Sequence, residues 1–293
     1  MIEGGGEAKA AKHRPPELED WLNSRIYHPA ARRLALALAP TGVTPNAVSV
    51  TGFVAIVAAG LAYLLIPLPL GALIGFLLHA SWHVWDGADG DLARLTGKTS
   101  PLGEVIDGMC DYFGHFCLYG LLAALMDDTI GWVAWPIAIL SGCCRAVQAN
   151  HCESQRRTYL WRAYGVPWLR QSAPARKSGL FGAISAALAG AYVRVAEATS
   201  PRGEAVDGMV AKLQGRGAGE AVKRAGAPLL KLLEWLGSNP RTVLLGASMA
   251  AGSPLYYFLF ELTALNVLTL VSLILHRRMN ARLEVELKAL EAD

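Results

Sequence analysis

The chain has 293 residues, 53% of them hydrophobic and only 17% charged, with a formal net charge of +3. A soluble globular domain carries about a quarter charged residues. Here the deficit gathers into uncharged runs such as 47–65 and 242–260, each close to the ~20 residues that cross a bilayer as a helix. The pattern describes an all-α polytopic membrane protein and excludes a secreted disulfide scaffold, a disordered chain and a nucleic-acid-binding module.

In chain order, residues 1–14 are rich in Gly, Ala and Lys and are expected to be disordered. From 17 to 39 the pattern becomes that of an amphipathic helix, with Leu18, Trp21, Leu22 and Ile26 on one stripe and Arg25, Arg32 and Arg33 among the polar positions. Such a helix is predicted to lie on the membrane surface. Pro40, Thr41 and Gly42 end it, and Thr44-Pro45-Asn46 starts the first span.

Six spans are predicted at 46–66, 70–94, 101–126, 130–151, 228–251 and 255–276. The turns at 67–69, 127–129 and 252–254 contain no Lys or Arg. The opposite side receives Arg25, Arg32, Arg33, Arg94, Lys98, Arg156, Arg157, Arg241, Arg277 and Arg278. That asymmetry places both termini in the cytoplasm. The uncharged run 178–193, at about sixteen residues, is short for a span. The chain therefore divides into a tail and surface helix (1–40), four spans (41–157), a cytoplasmic helical insertion (158–227) and two last spans with a tail (228–293). Cys110, Cys117, Cys143, Cys144 and Cys152 lie in or beside apolar stretches without metal-type spacing and read as small buried hydrophobes.

The chemistry gathers between residues 86 and 111. Asp86 and Asp89 are spaced i, i+3 and Asp107 and Asp111 i, i+4, so each pair shares a helix face. The two helices are consecutive and antiparallel, which lets the pairs face each other near the inner membrane surface. Acids within membrane segments are costly and point to function. A bound divalent cation relieves their repulsion, and oxygen-only ligands favour Mg2+ or Mn2+ over zinc or copper. Four carboxylates suffice for two ions, an arrangement suited to a pyrophosphate.

Gly87, Gly90, Gly103 and Gly108 beside the acids allow close approach of a ligand or a neighbouring backbone. Arg94 adds a planar cation fitted to phosphate oxygens. Arg145 lies deep in the fourth span, where an isolated cation is expensive, so a phosphate of an acceptor or a carboxylate is its expected partner. Asp91 reads as a solvated or salt-bridged bystander, His115 as a buried, hydrogen-bonded histidine, and Glu261 as a capping or packing residue in the outer half of the last span. A cation transporter would spread acids across the membrane depth, and outside the cluster only Glu261 qualifies.

The stretch resembles the CDP-alcohol phosphotransferases, whose signature is D-x-x-D-G-x-x-A-R, an eight-residue spacer, then G-x-x-x-D-x-x-x-D. Asp86, Asp89, Gly90, Ala93, Arg94, Gly103, Asp107 and Asp111 fill every defined position, with 95–102 as the spacer. The resemblance implies that Asp86, Asp89, Asp107 and Asp111 bind two divalent ions that clamp the pyrophosphate of a CDP-alcohol. It also implies that Asp111 is the general base on the acceptor hydroxyl, that CMP leaves, and that Gly90, Ala93, Arg94, Gly103 and Asn46 border the nucleotide. The implied partners are a CDP-alcohol, lipid substrates and a second copy of the chain. The implied location is a bacterial inner membrane, with the site facing the cytoplasm.

Two substrate pairings stay open. CDP-diacylglycerol with a polar acceptor ranks first. The run 99–104 looks more like the aminoalcohol phosphotransferases, which use CDP-choline or CDP-ethanolamine with a diacylglycerol.

Overall fold

Two helix starts are written directly in the sequence. The Thr44 side chain accepts the Ala47 amide at 3.3 Å with Pro45 in the first turn, and Ser100 accepts the Gly103 amide at 3.0 Å with Pro101 likewise placed. A hydroxyl cap satisfies an orphan amide, and a proline gives up no hydrogen bond there. These caps open helices α2 (Pro45–Leu65) and α4 (Pro101–Ile130).

The computed structural model describes residues 15–166, 203–213 and 217–292, and among these there is no strand. A π-helical turn, Asn23–Tyr27, leads into α1 (His28–Leu38). α3 (Leu70–Thr96) ends at Gly97, whose φ of 66° suits a residue without Cβ. The chain then needs only a short link to the Ser100 cap, so α3 and α4 form an antiparallel hairpin. α5 (Ala134–Tyr164), α6 (Gly203–Lys212), α7 (Ala218–Glu234) and α8 (Ser238–Ala250) follow. α9 (Leu255–Phe260) passes through a π-helical turn, Glu261–Leu265, into α10 (Asn266–Ala292).

α2 packs against both α3 and α4, and α1 lies along α3. A Cβ placed on Gly87 would stand 2.9 Å from the Ala31 Cβ. α1 therefore reaches α3 because a residue between the first two acids has no side chain. Ala31, Ala35, Val48, Ala88 and Leu92 close a small core there. A larger one around Ile56, Trp82, Leu118, Tyr119, Leu122 and Phe258 holds the helical body together. A third core joins the end of α5 to α6, α7 and the last turns of α10 through Tyr159, Val206, Leu230, Leu283 and Leu287.

Three helical stretches are long and apolar enough to cross a membrane: Pro45–Leu65, Val105–Tyr164 and Leu255–Glu291, the second holding α4 and α5 together. Helices α2 to α4 lie where the first three spans were expected, within several residues, whereas α5 starts near the fourth but runs on to Tyr164, well past the expected end at 151. The fifth expected span, 228–251, is not one helix. α7 stops at Glu234, and α8 restarts after Gly237. Leu233 and Leu236 bury in the third core, and the Leu236 carbonyl, freed by the break, accepts from the Arg241 guanidinium at 3.4 Å.

The sixth helix runs past 276 to Ala292. α5 passes through position 157 without interruption, and Pro228 lies inside α7, so neither expected edge of the insertion is a helix end. The expected disordered tail 1–14 and the run 178–193 lie outside the described residues.

The amphipathic segment also differs from expectation. Leu18 belongs to a short 3-10 turn and is buried in the third core, whereas Trp21 and Ile26 are exposed. The cause is docking. Glu17 accepts from the Tyr159 and Tyr164 hydroxyls at 2.8 and 2.6 Å, and Arg156 donates to the Leu18 carbonyl at 2.7 Å. Asp20 caps the Asn23 amide at 2.9 Å and accepts from Asn239.

Candidate active site

The α3–α4 hairpin brings the acids together. Asp86, Asp107 and Asp111 each offer a carboxylate oxygen, and these oxygens lie within 4.8 Å of one another. Asp89 is within hydrogen-bonding reach of Asp107, and Asp111 of Asp86, so all four form one group.

Two neutral side chains fix this group from outside the motif. The Ser49 hydroxyl on α2 donates to Asp89 Oδ2 at 2.6 Å, and the Trp82 indole on α3 donates from Nε1 to Asp111 Oδ1 at 2.7 Å. Carboxylate oxygens at this spacing, with no nitrogen or sulfur among them, fit a hard divalent cation such as Mg2+ or Mn2+.

The glycines and Arg94 border the acids on the side of the α3–α4 turn. A Cβ on Gly103 would sit 3.5 Å from Asn46 Oδ1, which places the starts of α2 and α4 side by side. A Cβ on Gly90 would sit 3.4 Å from Arg94 Nη1. Arg94 is exposed and donates to Asp91 Oδ1 at 2.7 Å, so Asp91 is a salt-bridged neighbour. Ala93 is half-buried on the same turn.

Arg145 takes a different setting. Its guanidinium lies over the Tyr119 ring, 5.9 Å from the centroid, and reaches the Tyr257 hydroxyl at 3.4 Å. Both tyrosines donate to Glu261, at 2.6 and 3.0 Å, and Ser141 and Arg241 bond the same carboxylate. Glu261 is thus not a cap but a packing residue whose charge is paired inside the fold. It is 0% exposed and sits in the π-helical turn as the centre of a network joining α4, α5, α8 and α9. Arg241, counted above among the residues marking the cytoplasmic side, is buried against it.

His115 is buried as expected, with Nδ1 2.8 Å from the Asp111 carbonyl. Sequence reasoning missed Ser49, Trp82, His79 and His83. The last three fall on one stripe with Asp86, at i, i+3, i+4 and i+7 from position 79. A polar-tipped stripe in an otherwise apolar helix was a usable signal. Ser49 had none, since its partner lies forty residues on.

The sequence profile of the CDP-alcohol phosphatidyltransferase family matches residues 42–203, more than half of the chain. The chain is also similar to a "Bifunctional IPC transferase and DIPP synthase" of Thermococcus kodakarensis, 29% identical over 184 residues. That match covers 61% of this chain and 37% of the relative, so the chain spans well under half of that protein's length.

Proposed function

Because the chain belongs to the CDP-alcohol phosphatidyltransferase family, enzymes that transfer a phospho-alcohol group from a CDP-alcohol in lipid synthesis, we propose that its donor is CDP-diacylglycerol and its acceptor the hydroxyl of a polar alcohol, with CMP as the other product. The observation that carries this reading is the convergence of Asp86, Asp107 and Asp111 within 4.8 Å, from two antiparallel helices. Asp86, Asp89, Asp107 and Asp111 would hold two divalent ions, Mg2+ or Mn2+, which when bound neutralise the pyrophosphate and leave its β-phosphorus open to attack.

The chain's own residues supply the rest. Asp111 takes the proton from the acceptor hydroxyl, whose oxygen bonds to the β-phosphorus as the bond to the α-phosphate oxygen breaks. The Trp82 N–H holds the Asp111 carboxylate in place, and the Ser49 hydroxyl does the same for Asp89. Arg94, exposed at the rim, exchanges Asp91 for the phosphate of the departing CMP. Asn46, Gly90, Ala93 and Gly103 border the nucleotide, and Arg145 receives the acceptor. The reading includes six membrane segments, a site on the cytoplasmic face of a bacterial inner membrane, and a homodimer.

The test is metal-dependent CMP release by the purified protein. CDP-diacylglycerol is supplied with a panel of polar alcohols, CDP-ethanolamine with diacylglycerol in parallel, and Asp111→Asn serves as control. CMP from the first pairing, lost in the control, is the expected result. Release only with CDP-ethanolamine and diacylglycerol would move the protein to the aminoalcohol class.

A further inference from the structure

The hydrogen bond from Trp82 Nε1 to Asp111 Oδ1, 2.7 Å long, orients the carboxylate only if the indole plane is itself fixed. The torsion that swings an indole about its Cβ–Cγ bond is broad, so the ring takes its plane from what packs on it. Along one edge that is the α2 backbone, since a Cβ on Gly52 would stand 3.3 Å from Trp82 Cδ1. From α4 the His115 ring meets the indole edge-on at 4.7 Å. Against it lies the His83 ring, 4.5 Å between centroids and tilted by 47°.

His83 is held in turn by two other helices. Its Nε2 shares a hydrogen bond of 2.9 Å with Thr242 Oγ1 on α8, between two buried groups. The Tyr27 ring stacks on it at 4.6 Å, with 26° between the planes. Tyr27 closes the π-helical turn that leads into α1. Register keeps it there: Ala31, one turn on, meets Gly87, one turn past His83, so α1 follows α3 turn for turn. Ring on ring at one level and methyl against glycine at the next set the height of α1. An apolar side chain at 83 would fill the same space. A histidine bonded to a threonine of another helix sets a direction as well. A row of rings thus runs from the N-terminal segment to the indole that bonds Asp111.

We propose that His83 is a positioning residue for the transfer reaction. Thr242 and Tyr27 set the plane of its ring, its ring sets the plane of Trp82, and the Trp82 N–H aims Asp111. The N-terminal segment and α8 then take part in catalysis without touching substrate. A misplacement of about 1 Å can cost about 10^2-fold in rate, so even partial slackening of this clamp shows in kcat. The clamp rests on the reading of Asp111 as base toward a CDP-alcohol.

The experiment is a double-mutant cycle on kcat, run with the donor and acceptor pairing that gives CMP with the wild type. Thr242→Val keeps the shape at 242 and deletes the hydroxyl. Its kcat should fall about threefold while both KM values stay within about twofold, and Thr242→Ser should recover most of the loss. Tyr27→Leu should act as Thr242→Val does, with Tyr27→Phe recovering most of the loss. In a Trp82→Phe background no N–H is left to aim, so Thr242→Val should change kcat no further than about 1.5-fold, whereas independent effects multiply. Melting temperature in detergent is read alongside, and a fall common to both backgrounds is the structural share of the hydroxyl. Where Thr242→Val does not fold, Tyr27→Leu carries the same cycle. Losses that multiply, a change confined to KM, or full kcat in Thr242→Val and Tyr27→Leu would overturn the clamp and leave the transferase reading standing. A wild type that releases no CMP with any pairing overturns that reading and the clamp with it.

Discussion

Glu261 and Asp111 are both carboxylates set among packed helices, and the chain surrounds them in opposite ways. Glu261 receives a guanidinium from Arg241 and hydroxyls from Ser141, Tyr119 and Tyr257. Its charge is answered inside the fold. Asp111 receives one neutral indole N–H and stands within 4.8 Å of two further carboxylates, while Asp89 nearby receives a neutral hydroxyl. Neutral donors orient a carboxylate without cancelling its charge. A negative site built this way could hold a cation from outside, whereas the Glu261 network is complete within the fold and serves to join helices.

Charge removal should therefore act in opposite directions at the two places. Asp111→Asn or Asp107→Asn is expected to lower the rate of transfer about 10^3-fold, while the melting temperature in detergent holds or rises because like charges are thinned. A fall in melting temperature without loss of CMP release would show that these acids are structural. At the other place, Arg241→Met leaves a buried carboxylate without its cation and is expected to destabilise the protein by about 3–5 kcal/mol, with the Arg241→Met/Glu261→Leu pair closer to wild type. Equal losses in the single and double variants would break the comparison.

The two regions also differ in how far the sequence revealed them. The acid cluster was legible because its members are paired at helical spacing on consecutive helices, and the Ser100 cap and Gly97 fix the hairpin between them. The Arg241–Glu261 pair was not legible. Arg241 counted as a topology marker and Glu261 as an outer packing residue, because nothing local tells which residue answers a buried charge across a helical hairpin. The break between α7 and α8 did carry a local signal, Gly237-Ser238-Asn239-Pro240, which the apolar character of 228–251 as a whole outweighed in the expectation of one span. Ser49 and Trp82 are tertiary partners, and spacing rules reach only as far as one helix.

Those two partners sharpen the comparison at a finer scale. Trp82→Phe keeps an aromatic side chain but deletes the N–H to Asp111 and part of the buried indole, so kcat should fall about tenfold with donor KM little changed and melting temperature somewhat lowered. Ser49→Ala, which frees Asp89, should cost less than Trp82→Phe. Full activity in both variants would mean that the acids need no outside orientation. Gly87→Ala probes the contact behind the acids. Its Cβ would meet the Ala31 Cβ at 2.9 Å, so α1 must shift, at about 1–3 kcal/mol in stability and with some loss of rate. Loss of stability without any loss of rate would separate α1 from the site.

The smallest effect lies at the docked N-terminal segment, where a third carboxylate is again held by neutral donors. Burial pushes the Glu17 carboxyl up, but hydrogen bonds from Tyr164, its own backbone and Tyr159, with Lys223 nearby, outweigh it and leave the group below its ordinary value of 4.5. A carboxyl whose folded value is depressed contributes its stability in full above the unfolded value, and that contribution drains away as pH falls through the folded one. Docking of residues 16–20 on α5 should accordingly hold at neutral pH and loosen in acid, well before the helical body does. Hydrogen exchange of the Leu18 and Glu19 amides against pH reads this directly, since both bond within the docked turn, to the Pro15 and Pro16 carbonyls. Tyr159→Phe with Tyr164→Phe should flatten the profile by removing both hydroxyls. If exchange at these amides follows the same pH curve with and without the hydroxyls, Glu17 is a bystander and the segment is held by Arg156, through the Leu18 carbonyl, and by Asn239 on Asp20.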